Sequence, residues 1–299
     1  MEAFQLNWVV KQNQHGMILR DYLKQQQISR AALTDIKFQG GHLLVNNQTV
    51  TVRYVVSEGD CVTVVFPPEQ PSEGLVAEQL PLDIVYEDEA VLVIQKPPYV
   101  STIPSREHPT GSIANRLAGY YKEKQVPSTV HVVTRLDRDT SGLMLVAKHR
   151  HVHHLLSEQQ KQGLVSRKYE AFVHGSLDGS GKVEEPIGRR SESIIEREVR
   201  ADGQYACTLY KVIEKYTDFT HVELQLLTGR THQIRVHMSY LGHPLLGDDL
   251  YGGLVEKINR QALHCCQLTF FHPLKGETMT FVSELADDMK QVIQLNPSC

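Results

Sequence analysis

HVVTRLDRDTSGLMLVAK, residues 131–148, is the stretch of this chain that decides the fold. Apolar residues lead into a polar run that ends at Gly142 and lead away from it again, a pattern that predicts a β-hairpin. The tip of this hairpin holds two arginines and two carboxylates, Asp137 and Asp139. An acid beside arginines in a tight turn can be kept ionised, the state that a nucleophile or a base requires. The same pattern also fits a solvated turn in which an aspartate bonds its own backbone.

The composition of the chain is that of an ordinary globular protein. Its 299 residues suit about two domains, since one core usually serves about 100–200 residues. The net charge of −4 argues against indiscriminate coating of nucleic acid, although a local basic groove remains compatible with it. No apolar run approaches the roughly 18 residues of a membrane helix, and the first residues lack the pattern of a signal peptide. We therefore expect a cytoplasmic protein.

Neither the cysteines nor the histidines indicate a metal site. The five cysteines are scattered and form no CxxC pair, so neither a disulfide framework nor a zinc site is predicted. His149, His151, His153 and His154 stand close together at the start of a predicted helix, with no acidic partner in reach. We interpret these histidines as solvated or RNA-facing, and we expect neither a metal nor a cofactor.

Residues 1–66 are predicted to form a small separate module. A strand, two helices and three further short strands follow one another, and Ser29 is the expected N-cap of the second helix. Residues 67–81, PPEQPSEGLVAEQLP, contain four prolines and little periodicity, which indicates a linker. The predicted strands of the module are residues 6–10, 42–46, 50–56 and 61–66.

Residues 82–292 are predicted to form a second, larger domain. The segment LDIVYEDEAVLVIQKPP gives two strands around an acidic turn, and a second dense motif occupies residues 226–253. Within this motif a helix over residues 231–240 would direct Thr231, Arg235, Gln233 and His237 from one polar face towards a cleft. Further helices are predicted at residues 112–121 and 151–162, and strands at 166–175, 207–213, 221–227, 263–270 and 278–282.

Three motifs in this order resemble the RluA-type RNA pseudouridine synthases: RLDRDTSG, SRKYEAFVHG and TGRTHQIRVHMSYLGHPLLGDDLYG. The resemblance covers about residues 82–282, and DIVYEDEAVLVIQKP is similar to the opening strands of that family. It implies an α+β fold with a mixed, largely antiparallel central sheet and flanking helices. It also implies an isomerase that converts uridine to pseudouridine in structured RNA. The segments LRDYLKQQQISRAALTDIKFQGGHLLVNN and YVVSEGDCVTV are similar to the S4-like RNA-binding domain, an α/β module common in front of such enzymes.

The resemblance also implies roles for individual residues. Asp137 matches the essential carboxylate, and Arg235 matches the basic residue that pairs with it. Tyr169 matches the tyrosine that stacks on the target uracil, and Arg135 occupies the position that enters the RNA stack where the base has left. Leu268 is the candidate for an apolar residue on the other side of the base.

RNA contacts and one departure complete the implied site. Family members usually carry histidine directly before RLD, whereas this chain has Thr134, which puts target handling rather than catalysis in doubt. Ribosomal RNA is favoured over transfer RNA because of the S4-like module, and a monomer is the default. The candidate RNA-binding residues are Arg20, Lys24, Arg30 and Lys37 in the module and Arg230 and His232 in the larger domain.

The implied chemistry leaves the route and two rival functions open. The carboxylate can assist departure of the base by attacking the sugar, by attacking the ring or by taking a proton from the ribose. One rival is a glycoside hydrolase that uses Asp137 and Asp139 as paired acids. The other rival is a catalytically inactive RNA-binding protein. Pseudouridine formation, and its dependence on Asp137, would separate these readings.

Overall fold

The computed structural model describes residues 4–296, which contain six α-helices and sixteen β-strands. The helices are α1 (Leu19–Gln25), α2 (Arg30–Phe38), α3 (Ile113–Glu123), α4 (Arg150–Lys161), α5 (Gln233–Tyr240) and α6 (Asp287–Leu295). The strands are β1 (Gln5–Val9), β2 (His42–Val45), β3 (Gln48–Thr49), β4 (Cys61–Val65), β5 (Asp83–Glu87), β6 (Val91–Lys96), β7 (His131–Val132), β8 (Ser141–Ala147), β9 (Ser166–His174), β10 (Ser180–Val183), β11 (Ile187–Arg189), β12 (Arg197–Val199), β13 (Thr208–Lys215), β14 (Phe219–Leu226), β15 (Leu263–Phe271) and β16 (Thr278–Val282). No helix in this range is long and apolar enough to cross a membrane.

Ten strands form the central sheet of the larger domain. Eight of them follow the order β10-β13-β14-β9-β15-β8-β6-β5, while β16 pairs with β15 and β7 pairs with β8. All of these pairs are antiparallel except that of β15 with β8. The predicted mixed, largely antiparallel sheet is therefore confirmed.

Strand β8 lies in the interior of this sheet. All seven of its residues are buried, and its apolar run is typical of a strand that is covered on both faces. Helices α3 and α4 flank the sheet, and the Ser112 side chain caps the first turn of α3 by accepting from the Asn115 amide. The turn at residues 135–141 is thus attached to a fully buried strand of the domain.

The N-terminal module, residues 4–66 of the described chain, has its own four-stranded sheet in the order β1-β4-β2-β3 and its own apolar core. Ser29 caps α2 as predicted, because its hydroxyl accepts from the Ala32 amide. The predicted strand over residues 50–56 is wrong. Its Tyr54 and Val52 carbonyls instead accept from the first amides of α1, which have no partner within the helix.

Aromatic contacts join the module to α4. The ring of His149 stacks on Phe4 with centroids 3.7 Å apart, and the ring of His151 stacks on Phe66 at 5.2 Å. An ion pair between Asp35 of α2 and Arg150 of α4 adds to these contacts, which together form the seam between the module and the larger domain. Burial lowers the pKa of His149 and of His151 to about 4. The prediction that these two histidines are solvated or face RNA is wrong, because the module covers them.

Candidate active site

The candidate catalytic turn, residues 135–141, is the tip of the predicted hairpin and is named the catalytic turn for its candidate role. Strand β7 pairs with β8 through Val132 and Val146, so the entry and exit strands are confirmed. Within the turn the Thr140 amide donates to the Asp137 carbonyl at 3.1 Å. The Asp137 side chain is 28% exposed and lines a cleft of about 800 Å³.

Side chains from distant segments hold the backbone on either side of Asp137. The Thr102 hydroxyl donates to the Leu136 carbonyl at 2.7 Å. The ammonium of Lys96, which is fully buried, donates to the Arg138 carbonyl at 2.7 Å and to two carbonyls of its own loop. Burial lowers the pKa of Lys96 to about 7. These bonds leave the backbone of the turn little freedom, so the carboxylate is presented from a fixed position.

A buried arginine supports the end of the same turn. Arg260 donates to the Asp139 carbonyl at 3.1 Å and to the Ser141 hydroxyl at 3.3 Å. Its other contacts include two short bonds, of 2.6 and 2.7 Å, to the carboxylate of Asp288 in α6. The imidazole of His264 also bonds the Ser141 hydroxyl, at 2.8 Å. Arg260 was not predicted from the sequence, since nothing in the local pattern indicates its partners.

Gly142 allows the turn to pass directly into the sheet. Its φ of +115° lies in the region that favours glycine. A Cβ atom at this position would lie 2.4 Å from the carbonyl oxygen of Cys265, on the neighbouring strand β15. The final glycine of the motif is therefore required both by its backbone conformation and by the close approach of β8 and β15.

Arg235 connects Asp137 to a buried acid. Its guanidinium lies 3.8 Å from the Asp137 carboxylate and forms two 2.7 Å hydrogen bonds with Asp248. The side chains of Arg235 and Asp248 are only 8% and 0% exposed. Burial acts to lower the pKa of Arg235, but the bonds to Asp248 raise it above its ordinary value. Asp248 thus fixes the guanidinium, which keeps one edge towards Asp137.

Two further residues complete the packing around Arg235. The ring of Tyr251 lies 4.9 Å from the guanidinium, a cation–π contact. The Tyr251 hydroxyl also bonds the His232 imidazole at 2.8 Å. Burial lowers the pKa of His232, although the charge of Asp137 opposes this shift. Neither Asp248 nor Tyr251 was singled out from the sequence, although both stand in the quoted GDDLYG segment.

The remaining residues implied for base binding are only partly brought together. Tyr169 and the exposed Arg135 both line the cleft with Asp137. Burial raises the pKa of Tyr169, so its hydroxyl stays protonated. Leu268 lies fully buried in the main core and does not line the cleft, whereas Leu263 on the same strand does. The expectation for Leu268 is therefore wrong.

The helix that carries Arg235 is shorter than predicted. Helix α5 begins at Gln233, because His232 has a φ of +56° and cannot continue the helical conformation. Thr231 is exposed outside the helix, and His237 is fully buried with a 2.9 Å bond to the Thr208 hydroxyl. The predicted place in the helix is wrong for Thr231, although Thr231 does line the cleft. The predicted orientation towards the cleft is wrong for His237.

Thr134 faces the sheet. It is fully buried, and its hydroxyl accepts from the Leu145 amide at 2.8 Å. The residue that departs from the family pattern therefore links the start of the catalytic turn to β8.

The charges that line the cleft are strongly unequal. Among the lining residues Asp137 is the only acid, and Asp139 is absent from the lining. Six cationic side chains share the cleft with Asp137: Arg135, Arg138, Lys161, Arg167, Arg230 and Arg235. A chain with a net charge of −4 thus concentrates positive charge around one carboxylate. This arrangement suits a polyanionic substrate and does not place two acids opposite each other.

The cationic residues predicted in the N-terminal module lie elsewhere. Arg20, Lys24, Arg30 and Lys37 are all exposed, and none of them lines the cleft. Arg20 forms an ion pair with its neighbour Asp21 at 3.0 Å, which makes its guanidinium less available for an RNA phosphate.

Residues 90–240, about half of the chain, match the model of a family described as RNA pseudouridylate synthase. The chain belongs to this family. A protein named "Uncharacterized RNA pseudouridine synthase YjbO", from Bacillus subtilis strain 168, is 58% identical over 279 residues, which are 93% of this chain and 99% of that protein. Ribosomal large subunit pseudouridine synthase D of Vibrio parahaemolyticus is 39% identical over 264 residues, or 83% of this chain and 81% of that protein.

A solved structure shows the same fold. Human RNA Pseudouridylate Synthase Domain Containing 1 superposes with a TM-score of 0.60 at 23% identity, over 77% of this chain and 92% of that one. As an RNA pseudouridylate synthase, the chain is an isomerase that acts on uridine in RNA. The predicted enzyme class and the predicted fold class are both confirmed.

Proposed function

We propose that this synthase isomerises uridine in structured ribosomal RNA and that Asp137 is its single catalytic carboxylate. The observation that carries the proposal is the cleft itself, where Asp137 is the only lining acid among six cationic side chains. Thr102, Lys96 and Arg260 donate to backbone carbonyls on either side of Asp137. The side chain of Asp137 faces Arg235.

The reaction places defined demands on these residues. The bond from uracil nitrogen to the ribose breaks, the base turns, and carbon 5 joins the same sugar carbon, so that no atom is gained or lost. Each route open to the carboxylate requires its ionised form, and the guanidinium of Arg235 lies 3.8 Å from it. The target base must leave its stack, which costs a few kcal/mol. Stacking on Tyr169 and occupation of the vacated space by Arg135 offset part of that cost.

The choice of RNA rests on the N-terminal module. Its two helices and short strands suit an S4-like domain that presents the exposed Arg20, Lys24, Arg30 and Lys37 to RNA phosphates. A relative from Vibrio parahaemolyticus is named for the large ribosomal subunit. We therefore assign residues 1–66 to RNA binding, 67–81 to a linker and 82–292 to catalysis, in a monomeric cytoplasmic protein. The separate apolar cores of the two regions support this division.

The test is to map pseudouridines in RNA from a strain that lacks the gene. Carbodiimide-dependent reverse-transcription stops should disappear at one or more ribosomal sites and return with the wild-type gene. They should not return with Asp137→Asn, whereas Asp139→Asn should restore them, because Asp139 does not line the cleft.

Each alternative has its own signature in this experiment. Full restoration by Asp137→Asn would remove the catalytic role of Asp137. Loss of stops in transfer RNA alone would overturn the ribosomal assignment. Equal loss of pseudouridine in both variants would overturn the assignment of Asp137 as the single catalytic carboxylate.

A further inference from the structure

Arg167 is a buried cation that the site described above does not use. It stands on β9 two residues before Tyr169, so both side chains point to the same face of the sheet and both line the cleft. Arg167 is only 8% exposed, and its Nε atom is buried without a hydrogen-bond partner. Within residues 4–296 no carboxylate forms an ion pair with its guanidinium.

The next residue shows the usual arrangement. Lys168 points to the opposite face of β9 and pairs with Glu223 at 3.1 Å. Buried charges in proteins are nearly always paired, because removal of an ion from water is costly without a counter-charge. The other cations that line the cleft increase that cost for Arg167. The described part of the protein therefore supplies no counter-anion for Arg167, and its environment favours an anion from a ligand.

Gly229 lies close to the guanidinium of Arg167. A Cβ atom at Gly229 would lie 3.2 Å from the Nη2 atom of Arg167, closer than most side-chain contacts. Gly229 also lines the cleft, so the chain passes Arg167 at a position without a side chain. A side chain at position 229 would therefore crowd the guanidinium, which glycine avoids.

We propose that Arg167 binds a backbone phosphate of the RNA beside the target nucleotide. The inference rests on the proposed function, because the anion is a part of its substrate. The phosphodiester is the group of RNA that carries a full negative charge, and a guanidinium binds it through two parallel hydrogen bonds. A uracil carbonyl carries no formal charge and would leave the cation uncompensated. Arg167 therefore acts as a positioning residue that fixes the backbone while Tyr169 contacts the base.

The test uses the dependence of RNA binding on salt. Each phosphate contact contributes a slope of about 0.7 to 0.9 to the plot of log Kd against log salt concentration. In filter binding to ribosomal RNA isolated from a strain that lacks the gene, Arg167→Gln should lower that slope by about one such contact. Kd and KM should rise about tenfold to a hundredfold at low salt, because a charge-assisted bond is lost. The value of kcat should change little.

Two variants serve as controls. Arg167→Lys keeps the charge and should keep most of the slope, which separates charge from packing. Lys168→Gln removes a cation from the opposite face and should leave slope, KM and kcat unchanged. Thermal unfolding of each variant checks that the fold is intact.

Two results would overturn the proposal. One is an unchanged slope in a folded Arg167→Gln protein; the other is a fall in kcat with KM unchanged, which would place Arg167 in the chemistry instead. The proposed function fails separately, if the wild-type protein binds the RNA with the expected slope but forms no pseudouridine.

Discussion

Replacement of Asp248 by asparagine tests how the site is held together. Asp248 has no exposed side-chain surface and accepts two 2.7 Å bonds from Arg235. The substitution preserves shape but removes the charge, and the new amide group presents a donor to one of the guanidinium donors. Removal of one partner of a buried ion pair typically costs about 3–5 kcal/mol. Since about 1 kcal/mol shifts Tm by about 2–4 °C in a domain of roughly this size, Tm should fall by about 6–20 °C.

Catalysis should suffer beyond the loss of stability. Without Asp248, the guanidinium of Arg235 has one fixed carboxylate fewer and turns towards Asp137, now 3.8 Å away. A displacement of about 1 Å at a reacting group can cost about a hundredfold in rate. We therefore expect kcat to fall about a hundredfold at a temperature where the variant is folded, while RNA binding changes little.

The assay combines differential scanning fluorimetry with pseudouridine formation under single-turnover conditions. Asp249→Asn is the matched control, because Asp249 is the next residue, carries the same charge and is exposed. It should behave as the wild type in both measurements. If Asp248→Asn also kept the wild-type Tm and rate, the assignment of Asp248 as the residue that fixes Arg235 would be refuted.

Two further predictions concern the seam between the module and the larger domain. His149 and His151 have pKa values of about 4 in the folded chain against an ordinary 6.5, so the unfolded chain binds more protons between these values and stability falls as pH drops from about 6.5 to 4. The double variant His149→Phe, His151→Phe keeps the aromatic contacts, so its Tm should fall less between pH 7 and 5; an identical fall would refute this. Removal of residues 1–66 should weaken RNA binding but leave a folded larger domain by circular dichroism. An insoluble or molten fragment would contradict independent cores.

The sequence predicted those elements whose signals are local. Alternating apolar residues predict the β7–β8 hairpin and β9, and a serine cap predicts α2, because these patterns depend only on near neighbours. The segment over residues 50–56 is also rich in apolar residues, but it forms no strand, and two of its carbonyls accept hydrogen bonds from the first amides of α1. Strand β15 lies between β8 and β9, and its parallel contact with β8 joins residues more than a hundred positions apart. No local pattern encodes such a pairing.

The candidate site divides in the same way. Asp137 and Asp139 stand out because their motif is contiguous, while the resemblance distinguished Asp137 from Asp139 and supplied Arg235 and Tyr169. Asp248 and Lys96 were missed, since a single acid or lysine looks like a solvated residue until its buried partners are known. His149 and His151 were misinterpreted for the converse reason. Their surroundings come from a module that lies far away in sequence.

The bond between Arg260 and Asp288 connects the last helix to the turn that carries Asp137. Helix α6 contributes no atom to the cleft, yet its carboxylate neutralises the arginine that supports the Asp139 carbonyl. A premature stop codon ahead of α6 would leave every catalytic motif intact in the translated protein. It would also leave Arg260, next to the catalytic turn, without its carboxylate partner Asp288. Late nonsense alleles of this gene should therefore behave genetically as active-site mutations.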